Sequence, residues 1–142
     1  MTDLTSNLHV GLTGDCEIVV SPEHLASRWK SGGVEVLSTP QLVGLMELAS
    51  LNAVDPFLPK GWLTVGTRVD VQHLAATPLG QPVSAHATLT GIDGRRLTFD
   101  VIATDAAGVV GRGTHQRYIV NRQRFSESAA SRAADLSSSA SG

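Results

Sequence analysis

The sequence predicts an α+β fold in which an antiparallel sheet wraps one long central helix. Three observations carry that expectation. One segment, residues 42–54, is far more apolar than the rest and lacks a polar face. After it the hydrophobic period changes to two, four times in succession, with short turn signals between the runs. The chain has 142 residues with 42% apolar side chains, enough for one domain with a real core and no need of a disulfide.

The rest of the chain must be arranged around the helix. In LVGLMELASLNAV, residues 42–54, nine of thirteen residues are apolar and fall on every side of a helical wheel. Such a helix is expected to be buried all round. Ser38-Thr39-Pro40 supplies a hydroxyl N-cap, placed at Thr39, and a proline at the first helical position; Asp55-Pro56 and Pro59-Lys60-Gly61 end the helix. Residues 63–73 then alternate, with Val65, Thr67, Val69, Val71 and His73 on one face and Arg68, Asp70 and Gln72 on the other. Residues 82–90 alternate through Val83, Ala85, Ala87 and Leu89, Asp93-Gly94 signals a hairpin, and residues 97–104 alternate through Leu97, Phe99, Val101 and Ala103. Ala107-Gly108 makes a further turn before a last strand over residues 109–120, and a short strand near residues 16–20 precedes the helix. One fully apolar helix beside such a sheet must be wrapped by it, which is the layout of a hotdog fold. The sheet would leave an edge strand bare, so pairing into a homodimer is expected.

The domain is expected to span residues 1–125, its folded part from about residue 10. Residues 126–142 hold seven Ser and five Ala, with one Leu and no aromatic, and are expected to be a disordered tail. A net charge of −2 gives no basic surface for nucleic acid, and no run approaches the roughly 20 apolar residues of a membrane span. The first residues lack the basic and apolar regions of a signal peptide, so the expected location is the cytoplasm. Cys16 is the one cysteine, and no His/Cys/Asp/Glu cluster has metal-ligand spacing; neither metal nor cofactor is expected. Phosphate-binding glycine loops and a GxSxG elbow are missing.

Three residues could carry chemistry. Glu47 is the one ionisable group in the apolar helix, where a carboxylate is either held by structural donors or kept for catalysis. His73 falls on the inward face at the end of its strand, at the rim of the core, where it is either a satisfied core histidine or a proton carrier. Thr39 is either a plain cap or a site hydroxyl. Eight residues at about 1.5 Å each separate Thr39 from Glu47 by roughly 12 Å along one helix, too far for direct contact. Either the helix starts later and the chain folds back, or the site is assembled across a dimer.

Together, Ser-Thr-Pro-Gln-Leu-Val-Gly-Leu-Met-Glu (38–47), Val-Gly-Thr (65–67), Val-x-His-Leu-Ala-Ala-Thr-Pro-x-Gly (71–80), Asp-Gly-Arg-Arg-Leu (93–97) and Gly-Thr-His-x-Arg (113–117) resemble the fluoroacetyl-CoA thioesterase family. The resemblance runs over about residues 10–125. It implies a homodimeric hotdog thioesterase that hydrolyses small acyl-CoA esters without metal or cofactor. Thr39, Glu47 and His73 match the catalytic positions, Gly66 the glycine whose backbone lies against the acyl group, and Arg117 an arginine near the site. Glu47 would attack the thioester carbonyl or activate water, His73 would shuttle protons, and Thr39 would orient the acyl group or the carboxylate. The family's phenylalanine-bearing lid would fall on Lys30 and Gly33; neither is aromatic, so no strong preference for a fluorinated acyl group is expected. Two other readings fit the same residues. A hotdog lyase or dehydratase could use the Glu/His pair to abstract a proton beside a carbonyl, and a non-catalytic acyl-CoA or small-ligand binder would use the fold alone.

Overall fold

A computed structural model describes residues 3–29 and 34–141, so the lid positions Lys30 and Gly33 lie outside the described residues. Strand β1 (Thr13–Val19) leads through short 3₁₀ turns to helix α1 (Thr39–Val54), followed by β2 (Trp62–His73), β3 (Pro82–Asp93), β4 (Arg96–Asp105), β5 (Gly108–Asn121) and helix α2 (Arg122–Ser141). The five strands form one antiparallel sheet in the order β1-β3-β4-β5-β2. This is the expected α+β hotdog layout, and both β1 and β2 are edges.

The inner face of the sheet is built from the alternate residues that the period of two marks: Val83, Ala85, Ala87 and Leu89 on β3, and Leu97, Phe99, Val101 and Ala103 on β4, all buried. Leu42, Leu45, Met46, Ala49, Ala53 and Val54 of α1 pack into them. Helix α1 lies chiefly over β1 and β3. Small residues permit the approach: a Cβ on Gly14 of β1 would collide with the Ala49 carbonyl and the Ala53 backbone. Because the helix sits to that side, the inner face of β2 is only partly covered, and Val69 there is 40% exposed.

Four expectations need correction. Helix α1 is not buried all round: Val43, Gly44, Glu47, Leu48 and Leu51 form a half-buried to exposed stripe, with Leu48 47% exposed. Its N-cap is Ser38, whose Oγ accepts from the Gln41 N–H at 3.4 Å, so Thr39 and Pro40 are the first two helical residues. The alternation in β2 slips by one residue at Thr67. Gly66 pairs with Arg117 and Arg68 with Gln116, leaving Thr67 as the extra residue of a bulge. As a result Thr64 and Gly66, with Val69, Val71 and His73, share the helix side, while Val65 faces outward beside Tyr118. Finally, the Ser/Ala-rich stretch expected to be disordered continues helix α2 to Ser141, exposed over residues 122–137. Low apolar content bars burial but does not bar a helix. The Asn121 side chain caps it by accepting from the Arg124 N–H at 3.0 Å, and Gln123 bonds Glu127 one turn on.

Candidate active site

Helix α1 is continuous from Thr39, so the first way of joining Thr39 to Glu47 is removed. The five residues named from the sequence instead fall into two groups at opposite ends of the uncovered part of β2.

At the end of β2, Thr39 Oγ1 lies 2.8 Å from His73 Nδ1. Ser38 takes the capping role, which leaves the Thr39 hydroxyl free for this contact. Burial lowers the pKa of His73 from its ordinary value, with the Ala75 backbone acting more weakly in the other direction, so the ring is neutral at pH 7. Its Nε2 is enclosed and has no hydrogen-bond partner among the described residues. A cavity of about 230 Å³ opens there, lined by His73, Leu74, Ala75 and Ala76.

Around the β2 bulge, Glu47 reaches toward Gly66 and Arg117. Its side chain is 38% exposed, so the carboxylate is not the fully buried group the apolar helix suggested. Its Oε2 stands 3.6 Å from Arg117 Nη1, an ion pair without a hydrogen bond. A side chain at Gly66 would push the Glu47 carboxylate aside: a Cβ there would lie 2.6 Å from Glu47 Oε2 and 3.2 Å from the His115 ring.

Arg117 is the fixed part of this group. Its Nε donates to Thr64 Oγ1 at 2.7 Å and its Nη2 to the Thr64 carbonyl at 2.9 Å. The Thr64 hydroxyl in turn donates to Asp55 at 2.6 Å, at the end of α1. The remaining terminal nitrogen, Nη1, lies 3.1 Å from His115 Nε2. His115 Nδ1 faces the Arg68 carbonyl at 2.8 Å, which can only accept, so Nδ1 carries the proton and Nε2 accepts from Arg117. His115 is thus a neutral imidazole, in keeping with a pKa lowered by burial. Burial also pulls Arg117 below its ordinary range, opposed by Asp55 and Glu47.

Thr64, Asp55 and His115 were not among the residues singled out from sequence. The alternation of Gly-Thr-His-x-Arg places His115 on the same face as Arg117, a signal that was available. Thr64 was hidden by the bulge, which inverts its apparent face, and Asp55 read as a helix terminator. No group of three or more His, Cys, Asp or Glu among the described residues could hold a metal ion. No helix among them is long and apolar enough to cross a membrane.

A curled antiparallel sheet around one helix, with a carboxylate on that helix facing a bare strand, defines a hotdog protein of the thioesterase superfamily type. A thioesterase superfamily member from Thermus thermophilus superposes with a TM-score of 0.84 at 27% identity, over 94% of this chain and 98% of that one. The fluoroacetyl-CoA thioesterase FlK, crystallised as a mutant with fluoroacetate, superposes with a TM-score of 0.82 at 33% identity, over 88% of this chain and 98% of that one. In sequence, the fluoroacetyl-CoA thioesterase of Streptantibioticus cattleyicolor is 42% identical over 91 residues, a span covering 64% of this chain and 66% of that relative. The family profile of fluoroacetyl-CoA-specific thioesterases matches residues 20–123. This chain belongs to that family.

Proposed function

We propose that this protein hydrolyses a small acyl-CoA thioester to the free acid and CoA, acting in the cytoplasm as a homodimer. Each active site combines Glu47, Gly66 and Arg117 of one copy with Thr39 and His73 of the other. The observation that carries the reading is the division of the site residues between the two ends of a bare edge strand. Residues 66–70 of β2 are exposed, with Gly66 at one end of the bare stretch and His73 just beyond the other, both on the helix side. Antiparallel pairing of two such edges lays the His73 end of one against the Gly66 end of the other. The same pairing would cover the apolar stripe of Val43, Leu48 and Leu51.

In such a site Arg117 orients the Glu47 carboxylate from 3.6 Å without occupying its lone pairs. Glu47 attacks the thioester carbonyl or draws a proton from the attacking water. The neutral His73 ring, steadied by Thr39, relays a proton toward the departing thiolate. Gly66 lets the acyl group lie against the backbone, where any side chain would displace Glu47. Helix α2 beyond Phe125 takes no part in the reaction. Without an aromatic residue at Lys30 or Gly33, the pocket accepts acyl groups with no strong preference for fluoroacetyl.

The test is release of free thiol from a panel of short acyl-CoAs that includes acetyl-CoA and fluoroacetyl-CoA. We expect CoA release from several of them, with specificity constants for these two esters within about 1,000-fold, or roughly 4 kcal/mol, of each other. Turnover without CoA release would replace hydrolysis by lyase chemistry, and CoA binding without turnover would leave a binding protein.

A further inference from the structure

His115 is the one buried histidine among the described residues, 1% exposed, and the chemistry at Glu47 and His73 gives it no task. On the inner face of the sheet it stands between its register partners, Val69 of β2 and Phe99 of β4. The Phe99 ring flanks it, with centroids 6.2 Å apart. A hydrocarbon side chain would fill that place without the cost of taking an imidazole out of water. The imidazole instead uses both of its nitrogens. Nδ1 donates to the Arg68 carbonyl at 2.8 Å, one residue past the bulge at Thr67, and Nε2 accepts from Arg117 Nη1 at 3.1 Å. One rigid ring thus ties the bulge to the guanidinium.

Arg117 lacks such a hold elsewhere on that nitrogen. Its Nε and Nη2 both bond Thr64, and two bonds to a single residue define an axis about which the guanidinium plane can tilt. The bond from Nη1 to His115 stops the tilt, and Nη1 is the atom that faces Glu47 Oε2 at 3.6 Å. Glu47 Oε2, His115 Cε1 and Arg117 Nη1 all crowd the inner side of Gly66. The kind of acceptor matters as much as its place. A carboxylate there would neutralise Arg117 and draw it from Glu47, and a hydrocarbon would leave Nη1 and the Arg68 carbonyl without this partner. A neutral ring accepts the hydrogen bond and leaves the positive charge for Glu47. We propose that His115 is a positioning residue for hydrolysis, fixing Arg117 Nη1 against Glu47 and pinning the bulge that brings Gly66 beside them. The proposal rests on the acyl-CoA hydrolase reading and adds a residue that acts through Arg117.

The test compares two full-length variants. His115→Gln keeps a donor and an acceptor about as far apart as the two ring nitrogens, whereas His115→Phe fills the space and keeps neither. Thiol release from acetyl-CoA gives kcat and KM. Side-chain ¹⁵N NMR follows the Arg117 Nη1–H signals, which are resolved when rotation of that amino group is stopped. We expect His115→Phe to lower kcat at least about tenfold with KM within about twofold, and to lose the resolved Nη1–H signals. The Gln variant should keep those signals and hold kcat within about threefold of the wild type. A Phe variant with near-wild-type kcat, a Gln variant as impaired as the Phe variant, or a fall in kcat with the Nη1–H signals intact overturns the proposal. If the Phe variant is unfolded by circular dichroism, the Gln variant decides alone: kcat within about threefold keeps the proposal and a larger fall overturns it. Should the wild type release no thiol from any acyl-CoA, the hydrolase reading falls, while the NMR comparison still decides whether His115 fixes Arg117.

Discussion

The two ends of β2 are held in place by different means. At the bulge, Arg117 is fixed by two donors to Thr64, a third contact to His115, and the Asp55 carboxylate behind Thr64. At the far end, His73 Nδ1 lies 2.8 Å from the Thr39 hydroxyl, and its enclosed Nε2 has no partner among the described residues. The bulge end is complete within one chain, apart from the exposed Glu47 carboxylate it aims. At the His73 end one ring nitrogen meets a hydroxyl and the other has no partner among the described residues. A buried network fixes geometry because each member has its partners, whereas a partly satisfied group is held less firmly.

That contrast can be broken by substitution. Glu47→Gln and His73→Ala should have the largest effects, each lowering turnover at least about 100-fold while the protein stays folded by circular dichroism. A variant that keeps near-wild-type thiol release would remove its residue from the chemistry. Asp55→Ala acts one step back. It strips the acceptor from Thr64 and loosens Arg117, costing about 1–3 kcal/mol in urea unfolding, with a fall in kcat as Glu47 loses its fixed neighbour. A loss of stability with unchanged kcat would separate the network from the site.

Smaller effects sharpen the comparison at the other end. Ser38→Ala should cost about 1 kcal/mol as a lost helix cap. Thr39→Ala should leave Tm close to wild type and lower turnover, because its hydroxyl serves His73 and not the helix. The reverse pattern would return Thr39 to a plain capping role. The smallest effect is on pH. Burial lowers the pKa of both His73 and His115 in the folded chain, so the unfolded state binds protons first as pH falls. Stability should therefore be level above the ordinary histidine value of 6.5 and decline below it, toward the lowered folded values. Urea midpoints at pH 7.5 and 5.5 check this, and equal midpoints would mean that neither ring resists protonation.

Much of this was legible in the chain itself. The helix, the four later strands and their turns follow from period and turn residues, because each element's burial pattern is written locally. Glu47 and His73 could be picked out as polar groups at apolar-face positions, whereas Gly66 and Arg117 came from the family resemblance alone. What was hidden came from register and tertiary fit. The Thr67 bulge depends on how β2 pairs with β5, and it moved Thr64 and Gly66 to the inner face and Val65 to the outer one. The exposed stripe on α1 depends on the helix lying over β1 and β3, which an apolar wheel cannot reveal. The Ser38 cap was a choice between neighbouring hydroxyls that only the hydrogen bond decides.

The central claim is that a working site takes Glu47 from one copy and His73 from another. Mixing Glu47→Gln with His73→Ala, under conditions that let subunits exchange, tests it directly. In a mixed dimer one site then receives both variant residues and the other receives Glu47 and His73 intact. Random exchange makes half the dimers mixed with one good site of two, so thiol release should recover to about a quarter of the wild-type rate. If the mixture stays as inactive as the two variants apart, although sedimentation shows exchanged dimers, each site is built within one chain and the account is wrong.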